Sequence, residues 1–302
     1  HRLMTAETIH LFLSPTAGRG RAGRRESRIR ELLGKPGFPV EVHLSREVGD
    51  LEKQVRQFVS DGARRLVVAG GDGSIYEATN GIMSATGDAA LGVIPSGTGN
   101  DFAKASGIPL DWEHATSLLA DRIAAGAPTR GVDVGRINDR YFANGAGIGF
   151  DAKVTRIARS YHMPIGDLVY LLAIFRAMFD GIATPRMHVK AGKTIWDGPI
   201  TLANIANGPW IGGMFHIAPD ARNDDGLFDL LVVAPVSRSR IVALLPKLVK
   251  GTHMPEKEIV HEPVTKVLIE CSEPVASHLD GEVQPLQERF AIELIAGALR
   301  LL

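Results

Sequence analysis

The sequence contains a single cysteine, Cys271. A lone cysteine cannot form a disulfide within its own chain, so no part of the predicted fold depends on an oxidising compartment. Its flanks, residues 267–270 and Ser272, predict a β-strand. We therefore interpret Cys271 as a small buried strand residue and not as a nucleophile.

The sequence also lacks an excess of charge of either sign, because 34 Lys and Arg residues face 34 Asp and Glu residues. A neutral chain produces no overall field that attracts a polyanion. We therefore expect no nucleic-acid partner. The ten histidines show no spacing along the chain that is typical of a metal site, because none forms a His-x-x-x-His pair.

Long apolar runs are missing as well. The longest, residues 168–175, is far shorter than the roughly 20 residues that a membrane-spanning helix requires. We predict no transmembrane segment and a cytoplasmic protein. A peripheral position at a membrane surface and a homodimer both stay open.

The first third of the chain alternates strand and helix patterns. Strands are predicted at residues 9–13, 40–44, 65–69 and 90–94, and helices at 20–33, 50–59 and 74–83. Strands that alternate with helices of this length form a parallel sheet wound on both faces. We predict an α/β nucleotide-binding domain over residues 1–130.

The pattern changes near Gly126, after which strand and turn signals dominate. Helices are predicted only at about 165–180 and 238–249, and Asn138-Asp139 predicts a hairpin turn. A chain of 302 residues suggests about two domains. We predict a β-sandwich substrate domain over residues 131–302, with the alternative that its last residues return to the first domain.

A glycine-rich loop, Gly70-Gly71-Asp72-Gly73-Ser74, follows the third predicted strand and precedes a helix. Glycines at the end of a parallel strand let the backbone approach a phosphate, and the next helix offers the positive end of its dipole. An aspartate in such a loop indicates a bridging Mg²⁺. The alternative interpretation is a structural turn in which Asp72 caps the helix.

Two further loops support the phosphate interpretation. Pro95-Ser96-Gly97-Thr98-Gly99-Asn100-Asp101 follows the fourth strand, and Ser14-Pro15-Thr16-Ala17-Gly18-Arg19-Gly20 follows the first. Loops that leave one sheet edge can converge on one ligand, with Arg19 as a phosphate contact. The spacing matches neither a P-loop nor a G-x-G-x-x-G dinucleotide motif.

These loops resemble those of the diacylglycerol kinase catalytic-domain family, which includes bacterial lipid kinases and sphingosine kinases. The resemblance extends to Asp133, to Asp225-Gly226-Leu227 and to Asp280-Gly281-Glu282. It implies an α/β domain like that of NAD kinases and phosphofructokinases, a β-sandwich domain, and an active site between the two.

The resemblance also implies roles for individual residues. Asp280 would be the general base, with Glu282 beside it raising the pKa of its carboxyl group. Asp225, by its side chain, and Leu227, by its carbonyl, would hold a structural Mg²⁺, and catalytic Mg²⁺ would be held by Asp72, Asp101 and Asp133. The implied ATP-binding residues are Pro15, Thr16, Gly18, Arg19, Gly70, Gly71, Asp72, Gly73, Ser74, Glu77, Gly97, Thr98, Gly99, Asn100 and Asp101.

Without the glycine loops, Asp280-Gly281-Glu282 would be interpreted as a plain turn between strands, and the alternative for Asp225-Gly226-Leu227 is a turn before a strand. The leading hypothesis is an ATP- and Mg²⁺-dependent lipid kinase that acts on a lipid alcohol such as diacylglycerol at a membrane surface. The alternatives are an NAD kinase-like enzyme and a non-catalytic nucleotide or lipid sensor. Phe175, Met178 and Phe179 are either core residues, or residues that line an acyl-chain pocket or contact the membrane surface.

Overall fold

The computed structural model of the chain describes residues 7–14, 17–161, 163 and 165–302, and of residues 17–22 it describes the backbone only. The described residues form two compact units. The first extends to Val132 and also contains Gly297–Leu302, and the second is Asp133–Ala296.

The first unit is built on a parallel sheet. Its elements are β1 (Ile9–Leu13), α1 (Ala17–Gly34), β2 (Val40–Leu44), α2 (Asp50–Ser60), β3 (Arg65–Gly70), α3 (Asp72–Met83), β4 (Ala90–Pro95), α4 (Asp101–Ala105) and α5 (Trp112–Ala124). The strand order is β2-β1-β3-β4, and every pair is parallel. Near the end of the chain, Arg300 and Leu301 pair with the start of β4.

Helices cover both faces of this sheet because successive strand side chains point to opposite sides. Leu11 and Leu13 pack with α1 and α5 in one core cluster. Phe12 points the other way and meets Phe58 of α2 edge-on, with ring centroids 5.4 Å apart. The predicted doubly wound arrangement is therefore confirmed.

The first helix begins earlier than predicted, at Ala17 instead of residue 20. The prediction was wrong at this end because Gly18 and Gly20 weaken the local helix signal. Packing of Ile29 and Leu33 against β1 stabilises the helix as a whole. Gly18 and Arg19 consequently belong to a helix and not to a loop.

The second unit contains two antiparallel sheets. The elements that follow α5 are β5 (Arg130–Ile137), β6 (Arg140–Phe142), β7 (Gly145–Gly149), α6 (Phe150–Ser160), α7 (Leu168–Phe179), β8 (Arg186–Ala191), β9 (Thr194–Pro199), β10 (Leu202–Ala206), β11 (Phe228–Val233), α8 (Arg238–Lys250), β12 (Ile259–Val264), β13 (Lys266–Val275), β14 (Ser277–Leu279), β15 (Glu282–Val283) and β16 (Gln287–Leu301).

One sheet has the order β12-β11-β10-β7-β14-β15, and the other contains β16-β13-β8-β9. The β5–β6 hairpin, joined by the predicted Asn138-Asp139 turn, pairs with β16 through β5. Asn138 has a φ of 51°, as a tight hairpin turn requires. An α/β unit combined with an antiparallel β-sandwich-like unit is the predicted fold class, which is confirmed.

Cys271 lies in β13, as predicted, and is half-buried. Burial raises the pKa of its thiol to about 11, and Glu288 and Glu273 add to the effect. The thiol is therefore protonated at neutral pH, which agrees with a structural role. Within the described ranges, no helix is both long and apolar enough to cross a membrane.

The contact between α2 and α3 gives a test of the packing. A Cβ atom added to Gly81 would lie 2.7 Å from the Glu52 carbonyl oxygen and 2.8 Å from Val55 Cγ1. We expect Gly81→Ala to lower the free energy of unfolding by about 1–3 kcal/mol, because the two helices must separate. Urea denaturation measures this change.

Gly34→Ala is the matched control. It is also helical, but its added Cβ would have only an ordinary contact, 3.8 Å from Val40 Cγ2. We expect a change within about 1 kcal/mol, toward greater stability. Equal effects of the two substitutions would contradict the close-packing interpretation.

Candidate active site

The two predicted glycine loops leave the sheet at the same edge of the first unit. Strands β3 and β4 are neighbours in parallel register, with Gly70 opposite Pro95. The Ser96 N–H donates to the Gly70 carbonyl oxygen at 2.9 Å, so the pairing continues one residue past β4. This is the carboxyl edge of the strands, where α/β sheets bind ligands.

The loops touch each other through their backbones at Gly71 and Gly97. A Cβ atom on Gly71 would lie 2.9 Å from Gly97 Cα, and one on Gly97 would lie 2.5 Å from Gly71 Cα. Because both obstacles are backbone atoms, a side chain at either position would push the loops apart. These two glycines therefore permit the close approach of the loops.

Asp72 joins the loops by a side-chain hydrogen bond. It is the first residue of α3, and its Oδ1 accepts from the Phe102 backbone N–H at 3.0 Å. Phe102 lies in the first turn of α4, whose N–H groups lack partners within the helix. Asp72 thus caps α4, whereas the capping alternative from the sequence assigned it to its own helix.

Asn100 determines the shape of the second loop. Its φ of 51° is left-handed, its Oδ1 accepts from the Gly97 N–H at 3.0 Å, and its Nδ2 donates to the Gly97 carbonyl at 3.2 Å. Asn tolerates this backbone conformation better than most residues. Thr98, between these residues, is exposed, and Gly99 is half-exposed.

Asp101 is buried at the start of α4, and its Oδ1 lies 2.7 Å from Lys104 Nζ. We did not predict Lys104 as a site residue. The signal that could have found it is its spacing from Asp101, since residues three apart in a helix are neighbours. Its ammonium group places a positive charge beside the second loop.

Two other predicted contact residues have packing roles. The Glu77 carboxylate accepts from the Glu52 backbone N–H at 3.2 Å, in the first turn of α2. The Ser74 side chain folds back over Gly70, where an added Cβ would lie 2.3 Å from Ser74 Oγ. Contact of Glu77 and Ser74 with a nucleotide stays a prediction, as it does for Gly73.

The third predicted loop is only partly described. Pro15 and Thr16 lie outside the described residues. Gly18 and Arg19 lie in the first turn of α1, which corrects their predicted loop position, and their nucleotide contacts remain predictions.

In the second unit, Asp133 is joined to the Asp225-Gly226-Leu227 turn. The Gly226 N–H donates to Asp133 Oδ2 at 2.8 Å, and the Leu227 N–H donates to Asp225 Oδ1 at 3.0 Å. Gly226 has a φ of 77°, which favours glycine. The resemblance implied separate metal sites for Asp133 and Asp225, yet Asp133 accepts a hydrogen bond from the turn that carries Asp225.

Asp280 is a buried carboxylate held by a run of backbone N–H groups. Oδ2 accepts from Ala143 at 2.7 Å, and Oδ1 accepts from Asn144 at 2.8 Å and Gly145 at 2.9 Å. The residue follows β14 and has a φ of 49°. Three strong donors orient both carboxylate oxygens.

Burial raises the pKa of Asp280 to about 6, although the three N–H bonds and His278 act in the opposite direction. The sequence suggested that Glu282 raises the pKa of Asp280, but Glu282 is not among the causes of the shift. Its Oε1 lies 2.5 Å from Arg159 Nη1, so its charge is compensated by an ion pair. The expected cause of the pKa shift was therefore wrong, and the base role of Asp280 stays a prediction.

A buried histidine that sequence reasoning missed adjoins Asp280. The Nε2 atom of His278 lies 3.4 Å from Asp151 Oδ2, and its Nδ1 accepts from the Gly281 N–H at 3.3 Å. Asn204 Nδ2 also donates to Asp151 Oδ2, at 3.2 Å. The sequence signal was weak, because Asp151 and His278 are brought together only by pairing of β7 with β14.

Asp151 also lines an apolar cavity of about 150 Å³ within the second unit. Helices α6, α7 and α8 form much of its wall, for example through Val154, Ile174 and Leu245. Helix α7 contributes Tyr170 and Ile174, and not the aromatic residues that the sequence suggested. Met178 is buried in the core, whereas Phe175 and Phe179 are 45% and 79% exposed.

These features define a class of protein: a parallel α/β unit with paired glycine loops, followed by an antiparallel unit with buried aspartates. Residues 8–137 match the family model of the diacylglycerol kinase catalytic domain. Residues 145–302 match that of the YegS C-terminal NAD kinase beta sandwich-like domain. The chain belongs to the diacylglycerol kinase catalytic-domain family, a family of lipid kinases.

Known relatives cover most of the chain. A diacylglycerol kinase of Bacillus subtilis is 27% identical over 273 residues, 90% of this chain and 88% of that protein. A "Probable lipid kinase YegS-like" protein of Pseudomonas aeruginosa is 33% identical over 267 residues, 88% of this chain and 85% of that protein. The crystal structure of a Bacillus anthracis diacylglycerol kinase shares the fold, with a TM-score of 0.73, 24% identity, and coverage of 98% and 96% of the two chains.

The titration of Asp280 tests its environment. We expect the resonance of its carboxyl carbon, assigned by its loss in Asp280→Asn, to titrate near pH 6 in NMR spectra. Glu282→Gln should leave that midpoint unchanged, because burial and not a neighbouring carboxylate raises the pKa. A midpoint in the ordinary aspartate range, or a clear shift in Glu282→Gln, would contradict this account.

Proposed function

We propose that this protein is an ATP-dependent lipid kinase that transfers the γ-phosphate to a hydroxyl group of a lipid alcohol such as diacylglycerol. Its relatives from Bacillus subtilis and Pseudomonas aeruginosa carry the names diacylglycerol kinase and lipid kinase. The two family models together span nearly the whole chain. This coverage supports assigning the relatives' type of reaction to this chain.

The observation that carries the lipid assignment is the apolar cavity of the second unit. Its wall is almost entirely hydrocarbon, and Asp151 connects it through His278 to the turn that holds Asp280. A cavity of this composition favours an acyl chain over a soluble nucleotide such as NAD. The polar residues beside it would then orient the acceptor hydroxyl group.

The glycine loops of the first unit suit the phosphate groups of ATP. The backbones at Gly71, Gly97 and Gly99 are partly exposed, and the N-terminus of α3 adds the positive end of its dipole. Lys104 supplies a cation beside Asp101. Phosphoryl transfer depends mainly on such positioning and charge compensation.

The donor set of the loops also fits Mg²⁺, which prefers carboxylate and phosphate oxygens. Asp72 and Asp101 would hold the ion, whose charge would offset that of the phosphates. A carboxylate has about four lone-pair sites, so the bond from the Phe102 N–H to Asp72 leaves room for a ligand role. In the second unit, Asp133, Asp225 and the Leu227 carbonyl offer a second group of oxygen donors around Gly226.

Asp280 would accept the proton of the lipid hydroxyl group as the general base. A pKa of about 6 lies close to neutral pH, where a general base is most effective. The backbone N–H groups of residues 143–145 occupy three of its lone-pair sites and orient the carboxylate. Glu282 would act indirectly, since its ion pair with Arg159 stabilises the turn after Asp280.

A labelled-ATP assay tests this function. Incubation with diacylglycerol, a total lipid extract and NAD should place the label in the organic phase, and mass spectrometry of that phase should identify a phosphorylated lipid. Label on NAD would contradict the lipid assignment in favour of a nucleotide kinase. Absence of label on every acceptor would favour a binding protein without catalysis.

Two isosteric variants test the proposed roles. We expect Asp280→Asn to lower kcat by about 100-fold or more, because it removes the general base, and Asp72→Asn to cause a similar loss by weakening Mg²⁺ binding. Asp139→Asn, in the exposed β5–β6 turn, is the control and should keep wild-type activity. Thermal melting checks that each variant is folded; full activity in a folded Asp280→Asn protein would exclude the base role.

The cavity can be tested by filling it. Ile174→Phe should lower kcat/KM for dioleoylglycerol about tenfold while leaving dihexanoylglycerol almost unaffected, because only the longer chain needs the full cavity. Val242→Phe, on the exposed side of α8, should change neither value. Equal effects of Ile174→Phe on both substrates would show that the cavity does not bind the acyl chain.

A further inference from the structure

Three metal-ligating side chains converge on one face of the first sheet, at its β2 edge. They are His10 on β1 and Glu41 and His43 on β2. His10 is directly opposite Glu41 in the parallel register, and His43 lies two residues beyond Glu41. Because side chains alternate along a strand with period two, all three point to the same side.

The donor atoms are spaced as ligands of one small cation. His10 Nδ1 lies 3.1 Å from His43 Nε2 and 3.4 Å from Glu41 Oε2, and His43 Nε2 lies 3.8 Å from the same oxygen. A tetrahedral zinc ion with bonds of about 2.0–2.1 Å separates its ligand atoms by about 3.3 Å. The three observed separations are centred close to this value.

Aromatic packing holds the two imidazole rings in place. The ring of Phe58, from α2, lies 4.3 Å from the ring of His43 and 4.8 Å from that of His10, measured between centroids. Both histidines are mostly buried, whereas the side chain of Glu41 is 61% exposed. The cluster is therefore packed against Phe58 on the side of the histidines and open to water on the side of Glu41.

We propose that His10, Glu41 and His43 form a Zn²⁺ site, with water as the fourth ligand. Two imidazoles and one carboxylate suit Zn²⁺, whereas Mg²⁺ prefers oxygen ligands alone. The metal would connect edge strand β2 to β1 and so stabilise the border of the sheet.

The position of this site separates it from the phosphate loops. His10 is opposite Leu66 on β3, and Gly71 lies five residues farther along the chain. At about 3.3 Å per residue, the cluster is about 16 Å from that loop, toward the opposite end of the strands. A bound Zn²⁺ would thus act on stability and not on the transferred phosphate.

Metal titration of the full chain tests the site. After removal of metals with a chelator, we expect one Zn²⁺ per chain by elemental analysis and a rise in the melting temperature with Zn²⁺ concentration. Co²⁺, used as a spectroscopic substitute, should give the visible absorption bands of tetrahedral coordination, which Zn²⁺ should abolish.

Substitutions locate the ion. His10→Gln and His43→Gln should each lower Zn²⁺ affinity by at least about tenfold, since loss of even an indirect ligand partner has an effect of that size. His114→Gln, an exposed histidine on α5, is the control and should bind as the wild type does. The Glu41 side chain is exposed, so Glu41→Gln should keep the fold and also weaken Zn²⁺ binding. Absence of stoichiometric Zn²⁺ binding, or unchanged binding in folded Glu41→Gln and His43→Gln, would overturn the proposal.

Discussion

The backbone contact between Gly71 and Gly97 is the constraint on which the candidate phosphate site depends. It holds two loops from neighbouring strands so close that neither position can carry a Cβ atom. Asp72 strengthens the contact by accepting the Phe102 N–H, and Asn100 folds its own loop around Gly97. These residues carry the resemblance to diacylglycerol kinases. They therefore have structural roles in addition to the chemical roles proposed for them.

A different balance of forces governs the aspartates of the second unit. Asp133 and Asp280 are both buried, and each accepts backbone N–H bonds from a distant turn or strand. Such bonds favour the charged form, yet burial still raises the pKa of Asp280. Desolvation thus outweighs three hydrogen bonds at this position, and the result is a carboxylate that can exchange a proton near neutral pH.

The apolar cavity is lined in part by Asp151, whose partner His278 contacts the turn that holds Asp280. Inward-facing residues of α6, α7 and α8 form much of the cavity wall, while the outward face of α7 exposes Phe175 and Phe179. A single helix therefore presents apolar side chains on two sides. The inward side lines the cavity, and the outward side leaves Phe175 and Phe179 exposed.

The sequence by itself determined the strand and helix order of the first unit, both glycine loops and the hairpin at Asn138, because these depend on local periodicity and turn chemistry. It did not predict α6, whose apolar pattern is interrupted by charged residues. Only the tertiary structure decided the start of α1, the Gly226 bond to Asp133, the ion pair of Glu282 and the cluster of His10, Glu41 and His43. Each of these depends on the register or packing of segments distant in the chain, which residue spacing along the sequence does not encode.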